Sequence, residues 1–314
     1  MVENNRIYVA GADTLAGSAI LVALKSQGYN QVIGGAVNLR DSASVDSFFS
    51  SNLPEYVFLA AGKSGGIEAN QKYPAELMLD NLLVTSNVMQ ASHKYAVKKL
   101  LYLASSCCYP RECPQPMRVE HLMTGPLEPT NQAYASAKLA GLELCSAYRT
   151  QYRSDFIGAI PANVFGPGDD FSPDDSHVIA GLIRKMHEAK LARASYVELW
   201  GTGTPQREFV FAADVAEACL FLMNNYTGPG PINIGARSQR VSIKELAFLI
   251  KETVGYAGEI RFDVSRSDGM PRKILDSDPL RDLGWSPKID FRLALTATYE
   301  YFLQLEHRTE TSHV

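Results

Sequence analysis

The first half of the chain alternates short apolar runs with segments of helical periodicity. The strand-like runs cover residues 7–10, 31–33, 56–59, 99–104 and 156–160. The helical segments cover residues 18–25, 74–95 and 131–152. Strands that alternate with helices are typical of βαβ units. The pattern therefore predicts an α/β fold with a Rossmann-like, doubly wound parallel sheet.

The alternation stops after Pro161, and the segment 166–170 (Gly-Pro-Gly-Asp-Asp) indicates a domain boundary. A helix at 178–190, a strand at 197–200 and the tail from about 241 predict a smaller, discontinuous α/β substrate-binding lobe. The stretch 209–225 is expected to return to the sheet. The predicted division assigns residues 1–165 and 207–235 to an NAD(P)-binding Rossmann domain and residues 166–206 and 236–314 to the lobe.

Composition and charge exclude several functions. The 314 residues carry a net charge of −4, so a nucleic-acid-binding surface is not expected. No apolar stretch approaches the length of a membrane span, and no charged-then-apolar leader precedes the first strand. The five cysteines are odd in number and lack metal-type spacing with histidine, so neither a disulfide framework nor a metal site is expected. A cytoplasmic location follows from these features.

Gly11, Thr14 and Gly17 lie in the first strand-to-helix turn. In dinucleotide-binding folds this turn holds a pyrophosphate against backbone N–H groups at a helix N-terminus. Glycines also serve such turns for purely structural reasons. Thr14 stands where a middle glycine is expected, and its Cβ narrows the approach of a phosphate to the backbone. The pattern is compatible with either interpretation.

Ser105, Tyr134 and Lys138 form a candidate carbonyl-polarising group. Tyr134 and Lys138 are four residues apart, so they share one face of a helix, and the ammonium can favour the phenolate of the tyrosine. The hydroxyl of Ser105, at the end of a predicted strand, can hold the same carbonyl oxygen. A lone Tyr-x-x-x-Lys pair is often an exposed pair of no consequence. Its place after a strand that ends in serines favours a site at the carboxyl edge of the sheet.

Cys107 and His177 add groups that can move protons on carbon. In an extended segment Ser105 and Cys107 would point one way and Ser106 and Cys108 the other, so Cys107 is predicted to share the pocket with Ser105. Alone, the cysteine would be interpreted as a buried apolar residue and the histidine as a helix cap or surface residue. His177 precedes a helix of the smaller lobe, which favours a position in a cleft.

Seven stretches carry a resemblance to one enzyme family. The most specific are Thr124-Gly-Pro-Leu-Glu-Pro-Thr-Asn131 and Ser176-His-Val178 with Asp170-Phe171. The others cover residues 60–67, 105–110, 161–167, 200–209 and 268–273. From Ile7 to about Leu303, the chain resembles the GDP-L-fucose synthases of the extended short-chain dehydrogenase/reductase superfamily. These enzymes are 3,5-epimerase/4-reductases of GDP-4-keto-6-deoxy-D-mannose.

The resemblance implies a role for each matched residue. Ser105, Tyr134 and Lys138 match the reductase triad, Cys107 the epimerase base and His177 the epimerase acid. The cofactor-binding residues that it implies are Gly11, Thr14, Leu15, Gly17, Leu39, Arg40, Ala60, Ala61, Lys138, Pro161, Asn163, Val164 and His177. The residues that it implies for the nucleotide sugar are Asn163, Lys185, Trp200, Arg207 and Lys273. Lys185 stands where an arginine can occur, which would change the geometry of its pyrophosphate contact.

The resemblance implies NADPH as the cofactor, but the residues that would bind its 2′-phosphate depart from the family. The glycine loop has Ala12 and Asp13, the second strand ends in Gly34-Gly35, and only Arg40 remains as a local cation. No acidic residue ends the second strand, as NAD-binding proteins usually require. The sequence therefore predicts NADPH binding with weakened discrimination, so that NADH is also usable.

The activity that the resemblance implies is epimerisation at C3 and C5 of a GDP-linked 4-keto sugar, followed by reduction at C4. Two alternatives stay open at this point. One is a reductase or epimerase of another GDP-4-keto sugar, such as a dideoxyhexose or a heptose. The other is a catalytically silent dinucleotide-binding protein. A homodimer is also expected, because related enzymes pair through the two long helices that begin near Pro74 and Asn131.

Overall fold

The computed structural model describes residues 1–173, 176–266, 268 and 270–311. Its strands are β1 Ile7–Ala10, β2 Val32–Ile33, β3 Tyr56–Leu59, β4 Lys99–Leu103, β5 Phe156–Pro161, β6 Asn163–Phe165, β7 Tyr196–Trp200, β8 Gln206–Phe211, β9 Ile232–Ile234, β10 Arg240–Ser242, β11 Glu259–Asp263 and β12 Arg272–Lys273. Its helices are α1 Leu15–Ser26, α2 Ser42–Asn52, α3 Ile67–Lys72, α4 Pro74–Lys94, α5 Gln132–Tyr152, α6 Val178–Leu191, α7 Ala212–Asn225, α8 Ile243–Val254, α9 Asp278–Asp282 and α10 Phe291–Thr311.

The larger sheet has six parallel strands in the order β2-β1-β3-β4-β5-β9. Every residue of β1, β4 and β5 is buried, as expected for strands that helices cover on both faces. The strand order reverses between β1 and β3, and ligands of open α/β sheets bind at the carboxyl ends of strands at such a point. This arrangement confirms the predicted Rossmann-like, doubly wound fold.

The smaller lobe is built around β6, β8, β10 and β12, with β7 and β11 as a separate parallel pair. Helices α6, α8 and α10 pack together and contribute to a second apolar core. Phe165 of β6 and Phe211 of β8 pack there with a ring-centroid distance of 5.6 Å. Strand β6 begins one residue after the carboxyl end of β5, so this core lies beside that edge of the larger sheet.

The stretch 209–225 does not join the larger sheet as a strand. Strand β8 pairs with β6, β10 and β12, because Phe209 and Phe211 pack into the second core. Only α7 returns, where it packs against α1, and β9 then adds the last strand of the larger sheet. No helix within the described ranges is long and apolar enough to cross a bilayer.

Candidate active site

The glycine loop presents unpaired backbone donors at the N-terminus of α1. Thr14 caps the helix: its hydroxyl oxygen accepts from the N–H of Gly17 at 3.1 Å and lies 2.8 Å from the carbonyl oxygen of Gly11. Among the described residues, no backbone hydrogen bond engages the N–H of Leu15 or Ala16. Free N–H groups at a helix N-terminus are what a pyrophosphate requires, so this turn fits a dinucleotide cofactor.

The glycines of this loop are also required by packing. A Cβ on Gly11 would lie 2.5 Å from the Cα of Ala61, and a Cβ on Gly17 would lie 1.8 Å from the carbonyl oxygen of Gly11. Gly11 also has a φ of +83°, in the left-handed region. The structural and the cofactor-binding interpretations of these glycines are therefore compatible, since the close packing that requires glycine also leaves a turn that fits a pyrophosphate.

The other predicted cofactor residues lie at the same edge of the sheet. Ala60 and Ala61 follow β3, Pro161 ends β5, and Asn163 and Val164 belong to β6. The side-chain amide of Asn163 donates to the carbonyl oxygen of Glu208 at 2.8 Å. Leu39 is held through its carbonyl oxygen, which accepts from Asn87 on α4 at 3.0 Å.

Arg40 is engaged by an acidic residue that the sequence did not indicate. Its Nε lies 2.8 Å from Oδ1 of Asp80, a buried carboxylate on α4. The Nζ of Lys63, which follows β3, lies 3.1 Å from the other carboxylate oxygen of Asp80. Two cations thus share one carboxylate, and Lys63 also lies 3.9 Å from Glu76, so the predicted lone cation is instead one member of a four-residue cluster.

Ser105, Tyr134 and Lys138 come together at the carboxyl edge of β4. Ser105 follows this strand in extended conformation, its hydroxyl oxygen accepts from the N–H of Cys107 at 3.3 Å, and its side chain lies close enough to Tyr134 to lower the pKa of the phenol. The Nζ of Lys138 lies 5.9 Å from the ring centroid of Tyr134 and 5.4 Å from that of Tyr102, and donates to the carbonyl oxygen of Leu103 at 3.3 Å. Lys138 is buried, and this burial lowers its pKa to about 8.

The predicted effect of Lys138 on the phenol is outweighed in the structure. Burial is the largest influence on Tyr134 and raises the pKa of its phenol, which the nearby Cys107 thiol raises further and the hydrogen bond to Ser105 lowers. The expectation that the ammonium favours the phenolate stays a prediction. In the structure Lys138 is itself desolvated and directs a hydrogen bond to Leu103 rather than to the phenol oxygen.

Cys107 and Cys108 occupy different environments, although not for the predicted reason. Residues 106–108 form a 3₁₀ turn, so the alternation of an extended strand does not apply to them. Even so, Ser105 and Cys107 are half-buried, whereas Cys108 is fully buried against α5. The Sγ of Cys107 accepts from Nδ2 of Asn131 at 3.2 Å and from Nζ of Lys273 at 3.4 Å.

His177 lies directly before α6. Its side chain makes no cap hydrogen bond to the helix and is exposed to solvent. Burial lowers the pKa of the imidazole, Asp170 raises it, and Lys273 lowers it further, with a net downward shift. Lys273 therefore lies close enough to influence both His177 and Cys107.

Of the residues predicted to hold the nucleotide sugar, Lys273 is the one that contacts the catalytic group. The guanidinium of Arg207 is half-buried and donates to the carbonyl oxygen of Gln206 at 2.9 Å. Lys185, on α6, donates to the carbonyl oxygen of Glu198. Trp200 is 67% exposed, and Arg266 stacks on its ring at 5.0 Å.

Sequence reasoning missed Asn131, Lys63 and Asp80. Asn131 and Lys63 both lie within stretches that carried the family resemblance, and that position was the only signal available for them. Asp80 gave no signal, because one acidic residue in a long helix is usually solvated, whereas here it is buried between two cations.

Comparison with known proteins agrees with this geometry. Residues 7–235 match the NAD dependent epimerase/dehydratase family. GDP-L-fucose synthase 1 of Arabidopsis thaliana is 46% identical over 305 residues, which cover 96% of this chain and 94% of that protein. The NADP-bound structure of a GDP-L-fucose synthetase from Naegleria fowleri superposes with a TM-score of 0.91 at 27% identity, covering 98% of this chain and 95% of that one.

A second solved structure is similar in fold. A GDP-6-OMe-4-keto-L-xylo-heptose reductase from C. jejuni superposes with a TM-score of 0.92 at 30% identity, covering 97% of this chain and 99% of that one. The 46% identity to the Arabidopsis fucose synthase is higher than the 30% identity to this reductase, and it extends over nearly the whole length of both chains. The chain therefore belongs to the NAD dependent epimerase/dehydratase family and, within it, to the GDP-L-fucose synthases.

Proposed function

We propose that this chain converts GDP-4-keto-6-deoxy-D-mannose to GDP-L-fucose, by epimerisation at C3 and C5 and then reduction at C4. One observation carries the proposal: two sets of groups meet at one edge of the larger sheet. Ser105 lies close enough to Tyr134 to lower the pKa of its phenol, and Cys107 has two nitrogen donors on its sulfur. The first set can polarise a ketone, and the second can prepare a base for the neighbouring carbon.

Epimerisation begins with the acidity that a ketone gives to its neighbours. When a proton leaves C3 or C5, the electron pair of the C–H bond delocalises onto the C4 oxygen as an enolate. Ser105 and Tyr134 donate hydrogen bonds to that oxygen, where negative charge develops. The thiolate of Cys107 takes the proton and becomes a thiol, and His177 returns a proton to the opposite face of the carbon. Both groups then exchange protons with water, to which His177 is open.

Reduction uses the same oxygen-binding pair. NADPH is the cofactor, and when bound it supplies the hydride for C4. Tyr134 transfers its phenolic proton to the C4 oxygen as the alkoxide forms. A phenol whose pKa is raised by burial is fully protonated at neutral pH, so it is ready to donate. Lys138, with a pKa of about 8, is mostly protonated at neutral pH and stabilises the phenolate that remains.

The test of the proposed function is product identification. The protein is incubated with GDP-4-keto-6-deoxy-D-mannose and NADPH, and the nucleotide sugar is characterised by NMR. GDP-L-fucose is the expected product. An alcohol that keeps the C3 and C5 configurations of the substrate would contradict the epimerase part and favour a plain reductase. No turnover of this ketone, with turnover of a GDP-4-keto-heptose, would favour the alternative that the C. jejuni reductase suggests.

We expect the protein to prefer NADPH to NADH only modestly, although the 2′-phosphate distinguishes the two cofactors. Arg40 and Lys63 are partly neutralised by Asp80, so we expect NADPH to bind about tenfold more tightly than NADH, or ~1.4 kcal/mol. Arg40→Ala should weaken NADPH binding several-fold and leave NADH binding unchanged. Asp80 keeps Lys63 as its partner in this variant, so no buried charge is left unpaired. Fluorescence titration with both cofactors measures the effect.

The matched control for this prediction is Lys94→Ala. Lys94 is a cation at the end of α4 that pairs with a different carboxylate, Asp46, on the surface. This variant should bind both cofactors as the wild type does. A wild-type preference of about a thousandfold, ~4 kcal/mol, would mean that another group binds the phosphate. Equal weakening of NADPH and NADH by Arg40→Ala would assign the arginine to the shared part of the cofactor.

We also propose a homodimer in which α4 and α5 pack against the same helices of a second copy. These two helices pack together, and Met78 and Leu79 of α4 remain exposed. Light scattering should give twice the chain mass of 34.5 kDa, and Leu79→Glu should shift the protein towards monomer. The control Leu293→Glu alters an equally apolar, exposed position on α10. A monomer mass for the wild type at micromolar concentration would rule the dimer out.

A cytoplasmic location is part of the same proposal. All five cysteines are free thiols in the structure, which suits a reducing compartment. A fluorescent fusion that accumulated in an oxidising compartment would contradict this location.

A further inference from the structure

The sulfur of Cys107 receives two nitrogen donors from two different parts of the fold. Asn131 approaches from the turn before α5, with Nδ2 at 3.2 Å from Sγ. Lys273 approaches from β12 of the smaller lobe, with Nζ at 3.4 Å. An ammonium and a side-chain amide nitrogen both donate hydrogen bonds and accept none. Two such donors stabilise an anionic sulfur far more than a neutral thiol.

We propose that Lys273 and Asn131 are positioning residues that hold Cys107 as a thiolate before substrate arrives. This inference rests on the proposed function, because it assigns to these two residues the preparation of the base for C3 and C5. It also changes the role of Lys273. The family resemblance implied a contact with the nucleotide sugar, whereas the lysine lies against the sulfur of the base.

The adjacent cysteines provide an internal comparison. Burial by itself raises the pKa of the Cys107 thiol, but the charge of Lys273 and hydrogen bonds with Ser105, Lys273 and Asn131 outweigh it, and the pKa is lowered. Cys108 is the more deeply buried of the two and has no such donors, and burial raises its pKa to about 12. The opposite pKa shifts of the two neighbours therefore reflect both the deeper burial of Cys108 and the nitrogen donors on Cys107.

Other polar groups around Cys107 do not supply a competing charge of comparable effect. Ser105 comes from the end of β4, and Tyr134 and Lys138 come from α5. Lys138 lowers the pKa of Cys108 rather than that of Cys107, and Tyr134 is neutral. Lys273 also lowers the pKa of the imidazole of His177, which directly precedes α6. Lys273 is the one cation that acts on both members of the proposed acid–base pair among the described residues.

Lys273 is fixed in place by the backbone on either side of it. Strand β12 pairs in parallel with β8, so that Lys273 lies opposite Arg207. The N–H of Leu275 donates to the fully buried carboxylate of Glu208 at 2.8 Å. The N–H of Ile274 donates to the side chain of Gln115 at 3.0 Å, in the loop that follows Cys107. The lysine is therefore held between the two parts of the fold and is not a mobile surface side chain.

The test is the pH dependence of Cys107 alkylation in the resting protein, since only the thiolate reacts rapidly with iodoacetamide. Peptide mass spectrometry follows Cys107 and the half-buried Cys113 separately. Lys273→Met should raise the alkylation midpoint of Cys107 by about one pH unit or more, and slow its alkylation at neutral pH about tenfold. Lys273→Arg should restore most of the effect, and Asn131→Ala should shift the midpoint in the same direction by less. Cys113 should not change in any variant.

Lys185→Met is the matched control, because it removes another lysine of the smaller lobe that donates to a backbone carbonyl away from the sulfur. It should leave the Cys107 midpoint unchanged. An unchanged midpoint in Lys273→Met, with a raised KM for the nucleotide sugar, would overturn the proposal and return Lys273 to substrate binding alone. Failure of the proposed function is separate, since alkylation needs no substrate: a shifted midpoint without production of GDP-L-fucose would keep the thiolate and reject the reaction.

Discussion

Replacing Tyr134 with phenylalanine should reduce NADPH oxidation on the authentic ketone by roughly a thousandfold, within the range of general acid catalysis. In the proposed mechanism the phenol is the group that gives a proton to the C4 oxygen, and phenylalanine has no proton to give. The ring remains, so its contact with Lys138 and the packing of α5 should survive. The measurement is the initial rate of NADPH oxidation, with thermal unfolding of both proteins followed in parallel.

The matched control is Tyr152→Phe, at the far end of the same helix. Tyr152 is 49% exposed and stacks on His93, away from the candidate site. It should keep the wild-type rate and a similar melting temperature. Oxidation of NADPH at the wild-type rate by Tyr134→Phe would show that the proton comes from elsewhere, with the exposed His177 as the first group to examine.

The fold could be predicted from the sequence because the central strands of the larger sheet are buried on both faces. The runs of β1 and β5 are apolar throughout, β4 departs from this only at Lys99, and the helices between the strands give the parallel connections. The role of β8 could not be obtained in this way. Its residues serve two cores, with Val210 in the first and Phe209 and Phe211 in the second, and a run of apolar residues does not show how it is divided.

The candidate site was predictable where it depends on local sequence, as with Tyr134 and Lys138 on one helical face. It was not predictable where contacts join distant residues. Lys273 reaches Cys107 over 166 positions of chain, and only the pairing of β12 with β8 places it there. Spacing identified Lys138 as a neighbour of the phenol, but its burial and its hydrogen bond to Leu103 decide how it acts on Tyr134.

In the proposed mechanism one pair of side chains binds the C4 oxygen in both reactions. Ser105 and Tyr134 hold the C4 oxygen during enolate formation and again during reduction, so substitutions of these residues should impair both steps. Cys107 acts only on carbon and should affect epimerisation alone. The two kinds of variant therefore separate the reactions that the one site carries out.

Cys107→Ser should abolish deuterium incorporation at C3 and C5, with a loss of about a hundredfold or more, while Cys108→Ser should retain it. A serine hydroxyl is far less acidic than the thiol, so Lys273 and Asn131 cannot hold it as an anion at neutral pH. The ketone is incubated in heavy water with oxidised NADP, which leaves C4 unreduced, and incorporation is measured by mass spectrometry. With NADPH instead, Cys107→Ser should still reduce the ketone, to an alcohol that keeps the C3 and C5 configurations of the substrate.

Cys108→Ser controls for the loss of a thiol at the adjacent position. The sulfur of Cys108 is fully buried, 3.9 Å from the carbonyl oxygen of Ala135, so a hydroxyl there has an acceptor and the fold should tolerate it at a cost of about 1–2 kcal/mol. Equal loss of exchange in both variants would point to a damaged turn rather than a missing base. Undiminished exchange in Cys107→Ser would show that another group is the base, with His177 as the first to examine.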